Sequence, residues 1–103
     1  MILTTIDGMQ YYVYAALSVT DYGEYREVSF LRGGVEIYIQ VHESLGYFSK
    51  QLAIFGKIGV NPWFVESIVD CDGIQNIYYC NRCMKVTATF NEVMEALNKC
   101  KKL

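Results

Sequence analysis

Hydrophobic and polar residues alternate along the first 42 positions of the chain. Residues 35–42 (VEIYIQVH) set Val35, Ile37, Ile39 and Val41 on one side and Glu36, Tyr38, Gln40 and His42 on the other. A period of two is that of a half-buried strand. Gly33-Gly34 stands just before it, and a type I′ turn needs positive φ at both central residues, which two glycines supply. That loop pairs Phe30 with Ile37 and Val28 with Ile39, so the apolar sets of both strands share a face. Upstream, residues 9–20 group Met9, Tyr11, Val13, Ala15, Leu17 and Val19. A loop at residues 21–24 sets Leu17 opposite Val28 and Ala15 opposite Phe30. A two-residue Asp7-Gly8 turn sets Ile6 opposite Met9 and Ile2 opposite Val13. The pattern predicts a four-stranded antiparallel meander over residues 2–42.

A helical period follows. Leu45, Phe48, Leu52 and Phe55 recur at spacings of 3, 4 and 3, which predicts a helix with Ser44 at its start and Gly59 and Asn61-Pro62 at its end. Beside that stripe lie Gly46, Ser49, Ala53 and Gly56. A row of small residues lets another backbone come close, and packing of the helix on its own sheet ranks ahead of a helix–helix dimer seam. After Pro62 the strand pattern returns, with Asp72-Gly73 turning a hairpin between residues 64–71 and 74–80. Both faces of that hairpin are mixed. Asn81-Arg82 turns into a last strand at residues 83–88. Thr89 with Glu92 forms a capping box, and Phe90, Val93, Met94, Leu97 and Cys100 line one side of a final helix. The expected fold is α+β: antiparallel meanders with two helices packed on one face, in the order ββββ-α-βββ-α, as one domain over residues 1–103.

Composition adds boundaries. The chain has 103 residues, 52% of them hydrophobic, which excludes a disordered chain and suits one core. A net charge of −2 argues against binding nucleic acid by bulk charge. The opening MILTTIDGMQ has no basic residue before its apolar ones, and no stretch approaches a membrane span. A cytoplasmic setting with reduced cysteines is the expectation. Lys99, Lys101 and Lys102 suit the negative end of a helix dipole.

Candidate chemistry centres on the tyrosines, of which there are nine. The registers above aim Tyr12, Tyr14, Tyr25 and Tyr38 away from the core, with Glu36 beside them and His42 opposite Tyr25. Tyrosine offers wide contact area with a polar tip and is enriched at interfaces, although it also suits strands in general. Cys80-Asn81-Arg82-Cys83 has the spacing of half a zinc knuckle, making Cys80 and Cys83 weak metal candidates, but no second such pair exists. A catalytic triad would have to use the single histidine, His42. Asp70 and Asp72 flank a turn, where Asp is common without acid–base work.

The expected function is therefore a non-enzymatic protein-binding module that docks through its tyrosine face. It would be homodimeric and would serve as an adaptor or an inhibitor of a larger host machine. A phage- or plasmid-encoded anti-defence protein is one concrete version, resting on size alone. The alternatives are a zinc- or thiol-dependent protein using Cys80 and Cys83, and a small-ligand sensor. Nucleic acid ranks below protein as a partner, no cofactor is expected, and no membrane is expected.

Overall fold

The computed structural model describes residues 1–101; Lys102 of the basic tail lies outside them. Ten strands and one helix follow in order: β1 (Ile2–Thr4), β2 (Gln10–Tyr12), β3 (Ala16–Asp21), β4 (Arg26–Arg32), β5 (Val35–Val41), β6 (Ala53–Phe55), β7 (Ile58–Val60), β8 (Val65–Cys71), β9 (Ile74–Tyr79), β10 (Arg82–Val86) and α1 (Phe90–Lys101). All strand pairs are antiparallel. The fold is α+β in the broad sense, being mostly antiparallel sheet with one C-terminal helix.

Strands β5-β4-β3-β7-β6 form a five-stranded sheet. The β4–β5 register is the expected one, with Val28 opposite Ile39 and Phe30 opposite Ile37. Gly33 (φ 60°) and Gly34 (φ 81°) both take the positive φ that the I′ turn demands.

The β3–β4 loop falls one residue later than the spacing suggests, so Asp21 pairs with Arg26 and Val19 with Val28. A bulge between Ala16 and Ser18 then reverses parity. Ala16 joins Val19, Val28 and Phe30 on one face, and Leu17 crosses to the other.

The predicted strand over residues 9–20 is two strands, broken at Val13–Ala15. β1 and β2 pair with each other as a separate hairpin. Its loop holds Ile6, Asp7 and Gly8, because the Thr5 N–H donates to the Met9 carbonyl (2.8 Å) and the Met9 N–H donates to Thr5 Oγ1 (2.9 Å). The extra loop residue flips the register. Leu3 faces Tyr11 and turns inward, while Ile2 and Tyr12 pair on the exposed side. A Thr5–Val41 bridge and a hydrogen bond from the His42 N–H to the Thr4 carbonyl (3.0 Å) tie this hairpin to the free edge of β5.

The expected first helix does not form. A 3-10 turn spans Leu45–Phe48, and the chain then doubles back as the β6–β7 hairpin. Phe48 and Leu52 do reach the core, and they do so from a turn and a loop. Ile54, Phe55, Ile58 and Val60 are good strand formers, and pairing of Ser18 with Val60 gives them a sheet to join. Of the small residues, Gly46 and Ser49 fall in the 3-10 turn and at its end, and Ala53 and Gly56 belong to this hairpin. Gly56 turns it at φ 63°. At Gly59 an added Cβ would lie 2.8 Å from Ile54 Cδ1 and 2.9 Å from Val19 Cγ1. Gly59→Ala is expected to cost roughly 1–3 kcal/mol through overpacking, read as a lower urea midpoint with an unchanged slope.

β10-β9-β8 form a three-stranded sheet. The hairpin at Asp72-Gly73 is the expected one, with Cys71 opposite Ile74. The next turn uses Cys80 (φ 44°) and Asn81 (φ 63°), one residue earlier than expected, and sets Tyr79 opposite Arg82. The capping box is present: the Thr89 N–H donates to Glu92 (3.2 Å), and the Glu92 N–H donates to Thr89 Oγ1 (3.1 Å). These bonds hold the Glu92 carboxyl below its ordinary pKa.

The core divides at the five-stranded sheet. One cluster gathers Leu3, Val13, Val19, Val28, Phe30, Val41, Phe48 and Leu52 under the β1–β2 hairpin. The other joins Leu17, Ala53 and Val60 to Ile77, Tyr79, Val86, Val93 and Leu97 of the second sheet and α1. The sheet is thus buried on both sides at its centre, where Ser18 and Ser29 satisfy each other across β3 and β4 (2.8 Å).

Candidate interaction surface

Tyr12, Tyr14, Tyr25 and Tyr38 lie on different elements, so no single sheet face carries them. The predicted strand over residues 9–20 breaks at Val13–Ala15, the β3–β4 loop takes in Tyr25, and Arg82 of the second sheet packs over Tyr38. Tyr12 is on the exposed side of β2, 73% accessible, and Tyr14 is in the loop after it, 83% accessible. Tyr25 sits in the β3–β4 loop against Tyr22, ring centroids 5.3 Å apart.

Tyr38 is on β5 facing the second sheet. Arg82 lies 5.2 Å from its ring centroid and donates to its hydroxyl, and the same guanidinium pairs with Glu36 at 3.3 Å. Burial, and then the Glu36 carboxylate, push the Tyr38 phenol above its ordinary pKa. Tyr38, Glu36 and Arg82 therefore form a latch between β5 and the β9–β10 turn, which accounts for Tyr38 and Glu36 structurally. His42 follows β5 with its side chain exposed. Its main chain is engaged, the carbonyl accepting from Arg26 Nη2 at 2.5 Å.

The cysteines are free thiols. Cys83 is on the outer face of β10, 3.7 Å from Asn76 Oδ1. Cys80 packs against the second cluster, and burial, followed by Glu36 and Glu66, pushes its thiol pKa up. A raised pKa disfavours the thiolate that binds metal or attacks electrophiles. Among the described residues no group of three or more His, Cys, Asp or Glu is placed to hold a metal ion. Asp70 accepts from Gln75 Nε2 at 2.9 Å, and Asp72 is a turn residue at φ 53°. No helix among the described residues is long and apolar enough to cross a membrane.

The tyrosine reading missed Trp63, the chain's one tryptophan. It is 77% exposed on a 3-10 turn over Pro62–Phe64. Asn61 builds that turn. Its buried side chain accepts from the Trp63 N–H (3.0 Å) and donates to the Ala16 carbonyl (2.8 Å), while its own N–H donates to the Leu17 carbonyl (2.9 Å). Pro62 at the first position of the turn leaves no N–H unpaired. The turn is thereby fixed to the bulged start of β3, directly after the loop that carries Tyr14.

Trp63 and Tyr14 consequently line one groove of about 620 Å³, together with Ala15, Lys50, Gln51, Asn61, Phe64 and Cys100. Asn-Pro before Trp63 was the available signal, because a turn residue has no periodic core position to fill, whereas Phe64 beside it packs against the second cluster. No protein family, curated protein or solved structure matches the chain.

Proposed function

We propose that this domain is a non-enzymatic protein-binding module whose docking site is the Tyr14–Trp63 groove. The observation behind this reading is that the largest apolar side chain of the protein stands in solvent beside an equally exposed tyrosine. Burying both on a partner would stabilise the complex, and Trp and Tyr are the residues that most often dominate such contacts. The Asn61 bonds hold the Trp63 backbone, so little backbone ordering of that turn is left for binding. Within this reading the domain acts as an adaptor or inhibitor of a larger assembly, with a second copy of the chain as one candidate partner.

Selection from a displayed library of folded protein domains tests it. The protein should enrich binders that a Tyr14→Ala, Trp63→Ala double variant fails to retain. Light scattering should give equal folded masses for both forms unless the groove is itself a dimer interface, in which case the variant alone becomes monomeric. Retention of the same binders and the same mass by the variant would overturn the proposal.

A further inference from the structure

We infer that β8 is a second docking site, independent of the groove, and that it takes an extended strand of a partner protein with Lys or Arg opposite Asp70 and apolar residues opposite Val69 and Ile68. β8 is an end strand of the three-stranded sheet, paired on one side by β9. In the hairpin turned by Asp72-Gly73, Cys71 and Ile74 are the closing pair and exchange both main-chain bonds. Alternation then aims the N–H and C=O groups of Ile68 and Asp70 at the outer edge. Among the described residues no main-chain partner meets them there. A bare edge is a template for another strand.

Charge selects what is added. Asp70 stands opposite buried Gln75, so its side chain lies on the inner face. There Asp70 and Glu92 line a pocket of about 390 Å³ at the start of α1, and no Lys, Arg or His lines it. Neither carboxylate has an ion-pair partner among the described residues. The capping-box bonds favour the ionised form of Glu92. Residues directly opposite across an antiparallel pair have Cβ atoms about 4.5–5.5 Å apart. A long basic side chain opposite Asp70 therefore reaches its carboxylate and can lay its stem toward Phe90, which is exposed and lines the same pocket. One residue on, the added strand meets Val69, exposed on the outer face with Ile74 and Tyr78. Two residues on, it meets half-buried Ile68, which packs against the second cluster.

A second copy of the chain suits this edge poorly. Antiparallel self-pairing centred on Ile68 brings Asp70 toward Glu66, and centring it on Asp70 sets the two Asp70 carboxylates opposite each other. Like charges directly opposite destabilise a strand pair.

The test is selection from a random peptide library displayed on phage, then titration of the selected synthetic peptides. Enriched sequences are expected to carry Lys or Arg followed by two apolar residues. In the complex the Ile68 and Asp70 amides should exchange with deuterium about tenfold more slowly or better. Methylating the peptide nitrogen of the basic residue, or of the residue two positions on, should weaken binding about tenfold or more, because both face β8; methylating the one between them should not. Asp70→Asn keeps an oxygen for Gln75 Nε2, removes the charge and should weaken binding about tenfold. Selected peptides that lack a basic residue, or that tolerate methylation at every position, would overturn the inference. So would protection confined to the Tyr14–Trp63 groove, which would leave the groove reading standing. Failure to enrich any peptide, or protection of the β8 amides that rises with protein concentration alone, would overturn it as well.

Discussion

Tyr79→Ala is expected to remove roughly 3–5 kcal/mol of stability, the range for deleting a fully buried aromatic side chain. Tyr79 is 1% exposed and is among the largest fully buried side chains in the protein. It stands on β9 opposite Arg82 and Val65 and belongs to the cluster that joins the second sheet and α1 to Leu17, Ala53 and Val60 of the first. Its loss would leave a cavity at the junction of both sheets and the helix, where three elements would all have to move to close it. Domains of this size have about 5–15 kcal/mol in total, so the loss would take roughly a fifth of it or more. Urea denaturation followed by circular dichroism gives the value. A loss under about 1 kcal/mol would mean that the two halves do not depend on this ring.

Asn61→Ala is expected to cost roughly 2–3 kcal/mol, because it removes two hydrogen bonds of a buried side chain, one to the Ala16 carbonyl and one from the Trp63 N–H. Asn61 is 3% exposed, and its amide bridges Ala16 of β3 to the Trp63 N–H. The Ala16 carbonyl would lose its side-chain donor beside the bulge. The Pro62–Phe64 turn would lose its cap, which is the second consequence. Trp63 should then sample several orientations, so binding at the groove should fall even under conditions where the fold persists. Thermal melting reads the first effect, and loss of selected ligands at a temperature well below the melt reads the second. A variant that melts normally but binds poorly would place Asn61 in positioning alone; one that melts early and binds normally would separate the turn from the site.

Several elements were legible in the residues themselves. Gly33-Gly34 and Asp72-Gly73 form hairpins that leave the turn in the registers their spacing implies, because positive φ at both turn residues admits little else, and a bulge between Val65 and Ser67 then shifts the far end of the second. Thr89 and Glu92 start the helix for an equally local reason. The segment 45–58 misled because its apolar residues repeat at helical spacing while its strand formers needed only one more strand to join. Β-pairing with β3 is a long-range event that no local window records.

The tyrosine face dissolved for a related reason. The break at Val13–Ala15 puts Tyr12 and Tyr14 outside the five-stranded sheet, the β3–β4 loop takes in Tyr25, and Arg82 of the second sheet covers Tyr38. Trp63 went unremarked because exposure is a property of what fails to pack on it.

The amino-acid order alone determined the sharp turns at Gly33-Gly34 and Asp72-Gly73, where the last helix begins, and that an antiparallel α+β fold would result, since each depends on neighbours a few residues apart. Tertiary structure decided that Phe48 and Leu52 pack from a loop, that both sides of the first sheet are covered, and that Tyr14 and Trp63, far apart in the chain, stand in one groove. Those outcomes follow from bulges and inter-sheet contacts, whose energies are set by residues distant in sequence and brought together only on folding.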